Sequence, residues 1–203
     1  MKIFGIGLSR TASVTLNEAL IMLGYRSHFV IDGEEDLQGE LAEFDAFTHM
    51  PIAVKFKEMD ERFPGSKFIL SVRKDREAWL NSCEKRIGMV VNKTDAMKKV
   101  LKRTYGTDVY DREMFNAAYE QHFENVIEHF KDRKDDLLII DITCGEGFEK
   151  LCPFLGKPMI NEPLPRKNTM SMLESPSQKC KRFLIKWCKA SAIKRFMKKL
   201  IGK

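Results

Sequence analysis

Met1-Lys-Ile-Phe-Gly-Ile-Gly-Leu-Ser-Arg-Thr-Ala-Ser-Val-Thr-Leu-Asn-Glu-Ala-Leu20 reads as a buried strand, a short polar loop and the first turns of a helix. Lys2 to Gly7 is apolar, with two glycines that let other backbone approach, and it stops at Ser9-Arg-Thr-Ala-Ser13. From Val14 the apolar positions Leu16, Ala19, Leu20 and Leu23 keep helical spacing, and Gly24 suits a C-cap. A strand that feeds a helix through such a loop aims several backbone N–H groups at one spot, where the helix N-terminus also concentrates positive partial charge. Such a spot favours an anion, phosphate above all. Ser13 or Thr11 could equally be a simple N-cap, but Arg10 adds a planar cation beside the hydroxyls and amides. The ATP-type loop G-x-x-x-x-G-K-[ST] is not matched, because no Gly-Lys pair occurs there.

Working outward, Arg26 to Ile31 is a short strand candidate, and Asp32 to Gly39 an acidic loop. Glu40 to Phe47 continues as a short helix or irregular segment, and His49-Met50-Pro51 breaks it. Ile52, Phe56, Met59 and Phe63 restore helical spacing, and Lys67 to Val72 is a second strand. Its end opens a helix with Asp75 as N-cap and Trp79 facing inward. Residues 87 to 108 read as a helix-rich, mobile excursion, Tyr110 to Arg133 as a long helix, and Leu137 to Ile142 as a third strand. A helix follows over Gly145 to Gly156, which Pro158 bars from continuing, and Glu162 to Asn168 is an extended connector. Open α/β sheets bind ligands beyond the carboxyl ends of their strands, which puts Arg73 and the Arg10 loop on one rim.

A chain of 203 residues supports one α/β domain, expected over 1–168, with a tail over 169–203. No stretch approaches a membrane-spanning length and the N-terminus enters a strand at once, so a soluble, cytoplasmic protein is expected. The formal charge of +6 is unevenly placed. Residues 179–203 hold ten of the 35 Lys and Arg and no acid, leaving 25 basic against 29 acidic side chains elsewhere. In that tail Phe183, Leu184, Trp187, Ile193, Phe196, Leu200 and Ile201 lie among lysines at helical spacing. The helix either packs on the domain or lies on an anionic membrane surface or acidic partner, holding the protein at a membrane's periphery. Nucleic acid is disfavoured, since no base-reading module is recognisable. Five cysteines without a C-x-x-C pair are expected to be reduced thiols, and a zinc site is disfavoured because none of the four histidines pairs with a cysteine at ligand spacing.

Gly7-Leu-Ser-Arg-Thr-Ala-Ser-Val-Thr-Leu16 resembles the loop G-L-P-R-T-G-T-T-S-L of sulfotransferases that use 3′-phosphoadenosine 5′-phosphosulfate (PAPS). Phe68-Ile-Leu-Ser-Val-Arg73 with Trp79-Leu-Asn-Ser82 is similar to that family's second cofactor element, and Gly145-Glu-Gly-Phe-Glu-Lys-Leu-Cys-Pro-Phe-Leu-Gly156 to its C-terminal signature. The resemblance implies a mostly parallel sheet flanked by helices, as in nucleotide kinases. It also implies in-line transfer of a sulfuryl group from PAPS to a hydroxyl or amine of a small-molecule or glycan acceptor, with no metal.

It further implies that Arg10 neutralises charge on the bridging oxygen as the sulfuryl group leaves. Thr11 and the amides of Ala12, Ser13 and Val14, with the Ser13 and Thr15 hydroxyls, would hold the 5′-phosphate. Ala12 stands where the family has glycine, so a positive φ there would be strained, and Val14 replaces a threonine. Arg73 and Ser82 would hold the 3′-phosphate, although Ser82 lies nine positions after Arg73 where many relatives have eight. His49 is the candidate base for the acceptor's proton, with Asp45 and His28 as alternatives. His122 and His129 are simpler as helix-face residues. Arg166-Lys-Asn168 falls where relatives read Pro-His-x-Asn, and the 32–50 and 87–108 segments would line the acceptor pocket. Two rival functions stay open: a module that binds the nucleotide without turnover, and a phosphoryl-transfer enzyme of nucleotide-kinase type.

Overall fold

The computed structural model describes residues 1–30, 37–88 and 93–165. Five short strands, β1 (Ile3–Gly5), β2 (Ser27–Phe29), β3 (Ala46–Thr48), β4 (Lys67–Ser71) and β5 (Leu137–Ile140), form one sheet in the order β2-β3-β1-β4-β5. Every neighbouring pair is parallel. Parallel neighbours need crossover connections, and helices supply them: α1 (Ser13–Met22), α2 (Gln38–Glu43), α3 (Phe56–Arg62), α4 (Arg76–Cys83), α5 (Asp95–Tyr105) and α6 (Arg112–His129), while α7 (Phe148–Leu155) follows β5. The α/β class expected from the sequence is the observed one.

Side chains alternate across a strand, so each strand feeds two cores. Phe4, Ile6, Phe47, Phe68 and Leu70 pack on one face with Phe56 and Met59 of α3 and Phe123, Val126 and Ile127 of α6. The Phe4 ring lies 5.9 Å from Phe47 and 5.3 Å from Phe68, so aromatic neighbours on three adjacent strands hold the register. Ile3, Ala46, Ile69 and Ile140 face the other way, onto Leu16, Ala19 and Leu20 of α1 and Phe148, Leu151 and Leu155 of α7. A third cluster lies just past the strand ends, where Leu8 and Met50 meet Trp79, Leu80 and Cys83 of α4 and Phe115 and Tyr119 of α6.

Helix ends follow local chemistry. The Asp75 carboxylate accepts the Ala78 amide at 2.6 Å, so the expected N-cap of α4 is present, and Thr94 and Asp111 cap α5 and α6 in the same way. Gly24, at φ 85°, ends the first helix as expected. The segment read as helical or irregular up to Phe47 is corrected: α2 stops at Glu43 and Ala46–Thr48 is a buried strand between β2 and β1. Three residues buried on both faces carry no alternation to betray them. Residues 52–62 are a 3₁₀ turn (Ile52–Lys55) followed by α3, and the π-helical turn Glu84–Gly88 extends α4.

Cys83 and Cys152 are free and buried. Among the described residues no helix is long and apolar enough to cross a membrane. The 179–203 tail, Arg166 to Asn168 and most of the acidic 32–39 loop lie outside the described residues.

Candidate functional site

From β1 the chain builds β2 and β3 on one side of the sheet, then crosses β1 to build β4 and β5 on the other. Such a reversal opens a crevice at the carboxyl ends of the two central strands, here between the loops after β1 and β4. The loop after β1 is tied down by its carbonyls. The Thr11 hydroxyl donates to the Leu8 carbonyl at 2.7 Å and lies 2.8 Å from the Ser71 hydroxyl. The Trp79 indole N–H donates to the Ser9 carbonyl at 2.8 Å, and Arg73 Nε to the Arg10 carbonyl at 2.7 Å. Because C=O and N–H point opposite ways in a trans peptide, carbonyls held by β4 and α4 turn the following amides outward. Among the described residues no amide from Arg10 to Thr15 finds an acceptor, so these donors and the start of α1 face the crevice together.

Three non-glycine residues have positive φ among the described residues: Arg10 at 72°, Ala12 at 68° and His49 at 80°. Each such conformation costs about 1–3 kcal/mol and persists only where the surroundings over-determine it. They converge, since Ser13 Oγ, beside Ala12, lies 3.1 Å from His49 Nδ1. Gly7 is required for a different reason: a Cβ there would sit 2.1 Å from Ser71 Oγ and 2.5 Å from the Ser71 carbonyl oxygen.

The two arginines expected on the rim are brought together. Besides Arg73 on the Arg10 carbonyl, Arg10 Nε donates to Ser82 Oγ at 3.2 Å. The nine-residue spacing from Arg73 therefore does not keep Ser82 from the site. Both guanidiniums are partly buried, and neither forms an ion pair among the described residues. Burial, and for Arg73 the neighbouring Arg10 charge, disfavour the cationic forms and lower both pKa values from the usual arginine range. Two under-neutralised cations thus stand beside outward-turned amides, an arrangement with the chemistry to take an anion at either of two points.

A family model described as Sulfotransferase domain matches residues 31–173. The chain belongs to the sulfotransferase domain family. Among curated proteins, none matches the sequence significantly. The span matched to the sulfotransferase domain includes His49, Arg73 and Ser82, whereas the Arg10 loop precedes it.

The remaining expected residues divide into rim and scaffold. Ser13, Val14 and Thr15 form the first turn of α1, with Ser13 directed at His49. The Thr11 hydroxyl turns inward to Leu8 and Ser71, which leaves only its amide for a ligand. His49 follows β3 and stacks on Phe29, with ring centroids 4.6 Å apart. Asp45 lies at the opposite, amino end of β3 and pairs with Arg26 at 3.3 Å, while His28 packs against Phe44 and Phe47. Of the three candidate bases, His49 is the one that touches the loop. His122 Nε2–H donates to the Ile6 carbonyl at 2.8 Å and its burial lowers its pKa, so it supports β1 from α6. His129 lies 2.6 Å from the Asp60 carboxylate, away from the crevice.

Sequence reasoning missed the wall behind Arg73. Asp141, just past β5, is buried; desolvation pushes its carboxyl up to about 6 against hydrogen bonds from the Thr143 hydroxyl at 2.7 Å and the Cys144 amide at 3.1 Å. The buried Tyr119 hydroxyl meets the Arg73 backbone, and burial raises its pKa. Cys83 lies near enough to both arginines for their charges to favour its thiolate, yet burial prevails and pushes the thiol up to about 12. Asp141 was findable, because it follows the apolar run Leu137–Ile140 at a strand's carboxyl end. Tyr119 and Cys83 carry only a helix-face pattern. Among the described residues no cluster of three or more His, Cys, Asp or Glu is arranged to hold a metal ion.

Proposed function

We propose that this sulfotransferase domain transfers the sulfuryl group of PAPS to a hydroxyl or amine acceptor and releases adenosine 3′,5′-bisphosphate. The observation that carries the reading is the pair of guanidiniums, Arg10 and Arg73, joined through the Arg10 carbonyl beside a run of unpaired amides. That donor set fits a nucleotide with an anion at each end. When bound, PAPS supplies the activated sulfuryl group.

In this reading the amides of Ala12, Ser13 and Val14 and the N-terminus of α1 hold the 5′-phosphate, with Thr11 as scaffold. Arg10 stabilises negative charge on the bridging oxygen, where a cation in a partly desolvated site acts more strongly than in water. Arg73 donates its terminal nitrogens to the 3′-phosphate, its Nε being committed to the Arg10 carbonyl. Ser82 accepts from Arg10 Nε, which orients its own proton toward the same phosphate. His49, hydrogen-bonded to Ser13 and stacked on Phe29, takes the acceptor's proton.

Titration calorimetry with adenosine 3′,5′-bisphosphate tests the site. Wild type should bind, and Arg10→Ala and Arg73→Ala should each weaken binding by about tenfold or more, as expected for a lost charge-assisted hydrogen bond. Equal affinity in all three proteins would refute the assignment. Binding without sulfate transfer from PAPS to any of a broad panel of alcohols and amines would favour a nucleotide-binding module.

A further inference from the structure

We propose that Arg73 is a positioning residue for the loop that carries Arg10, so that the lobe assigned to the 3′-phosphate also sets the conformation of the lobe assigned to the 5′ end. The inference rests on the nucleotide-site reading above and adds a role for Arg73 that persists when no 3′-phosphate is present. Its basis is the bond from Arg73 Nε to the Arg10 carbonyl, 2.7 Å long and spanning 63 residues of sequence. Arg10 has φ 72°, a conformation that a non-glycine residue adopts only when something holds it there.

Three successive carbonyls, of Leu8, Ser9 and Arg10, are gripped by side chains, and two of the gripping residues, Trp79 and Arg73, come from the β4–α4 unit. Ser71 of the same unit lies against Thr11, and Ser82 accepts from the Arg10 side chain. The grip on the Arg10 carbonyl is the one that acts on a strained residue. Without it, the peptide between Arg10 and Thr11 is free to rotate toward ordinary φ, which turns the Thr11 amide out of the crevice and moves the Arg10 guanidinium with it. A guanidinium suits this double duty, since Nε can serve the carbonyl while the terminal nitrogens serve a phosphate.

The test uses adenosine 5′-phosphosulfate, which lacks the 3′-phosphate, beside adenosine 3′,5′-bisphosphate. Affinities are measured by calorimetry for wild type, Arg10→Ala and Arg10→Gly, each with and without Arg73→Ala, and thermal unfolding confirms that every protein is folded. Arg73→Ala should weaken adenosine 5′-phosphosulfate by about tenfold in the wild-type and Arg10→Ala backgrounds, the size expected from releasing one left-handed residue. In the Arg10→Gly background the loss should shrink below about twofold, because glycine holds positive φ without help. A purely structural or long-range electrostatic role would not be rescued by glycine. Unchanged affinity for adenosine 5′-phosphosulfate in Arg73→Ala, with the bisphosphate weakened, would overturn the proposal and leave Arg73 as a 3′-phosphate contact alone. An equal loss in the glycine background would overturn it too. Failure of wild type to bind either nucleotide would bring down the site reading and this inference together, a result visible before any substitution is made. If Arg73→Ala does not fold, Arg73→Met, which keeps the stem and removes the donors, replaces it throughout.

Discussion

Replacing Asp141 by Asn should stabilise the protein at neutral pH, and the size of the effect follows from where the carboxyl sits. Asp141 is 2 % exposed just past β5, and its pKa is raised from 3.8 to about 6, with desolvation as the largest cause. A carboxyl raised in the folded state favours folding only while it is protonated. Its contribution is fully present below about pH 3.8 and is lost as pH rises through about 6. The interval between these values, at about 1.4 kcal/mol per factor of ten in proton affinity, corresponds to about 3 kcal/mol at pH 7. Asn keeps an oxygen to accept from the Thr143 hydroxyl and the Cys144 amide, while its new N–H₂ carries a desolvation cost of its own. A net gain between about 1 and 3 kcal/mol is therefore expected. Urea unfolding of both proteins from pH 4 to pH 8 measures it. The stability difference should grow between pH 4 and pH 6 and level off above. A difference that does not change with pH, or a variant less stable at pH 7, would refute the reasoning.

Ala12→Gly should raise stability by up to about 1 kcal/mol in chemical denaturation, since relief of left-handed strain exceeds glycine's extra chain entropy. Gly7→Ala should cost about 2 kcal/mol or more and abolish calorimetric binding of the bisphosphate, because the added Cβ collides with the Ser71 hydroxyl and backbone that anchor Thr11. Asp60→Asn should destabilise by about 1–2 kcal/mol at pH 7, since Arg133 and His129 both bond that carboxylate, the arginine from a partly exposed position. Hydrogen bonding from Arg133 is the main cause holding the Asp60 carboxyl below its usual range. Its contribution is thus present above about pH 4 and lost as pH falls through the depressed value, so wild type and variant should converge in acid unfolding.

Local chemistry was legible wherever it is written in neighbouring residues. Asp75 three positions before Ala78, Gly24 after Leu23, and the apolar run of β4 each announced a cap, a stop and a strand. Ala46–Thr48 was not legible, because its strand character comes from lying between β2 and β1 and not from its own three residues. At the site, Arg10 and Arg73 could be named from the strand-loop pattern and the family resemblance. That His49, and not Asp45 or His28, meets the loop could not be read there, since it depends on which end of β3 lies against it.

By itself the sequence determined the α/β class and the polar loop between the first strand and helix, and it nominated Arg10 and Arg73 as candidates to hold an anion, all consequences of short-range pattern and side-chain type. Tertiary structure decided that Ser82 meets Arg10, that Arg73 grips the Arg10 carbonyl, and that Asp141 is desolvated beyond β5. Those relations join residues tens of positions apart, and only the parallel sheet, by stacking β1, β4 and β5 in one register, brings their carboxyl ends together.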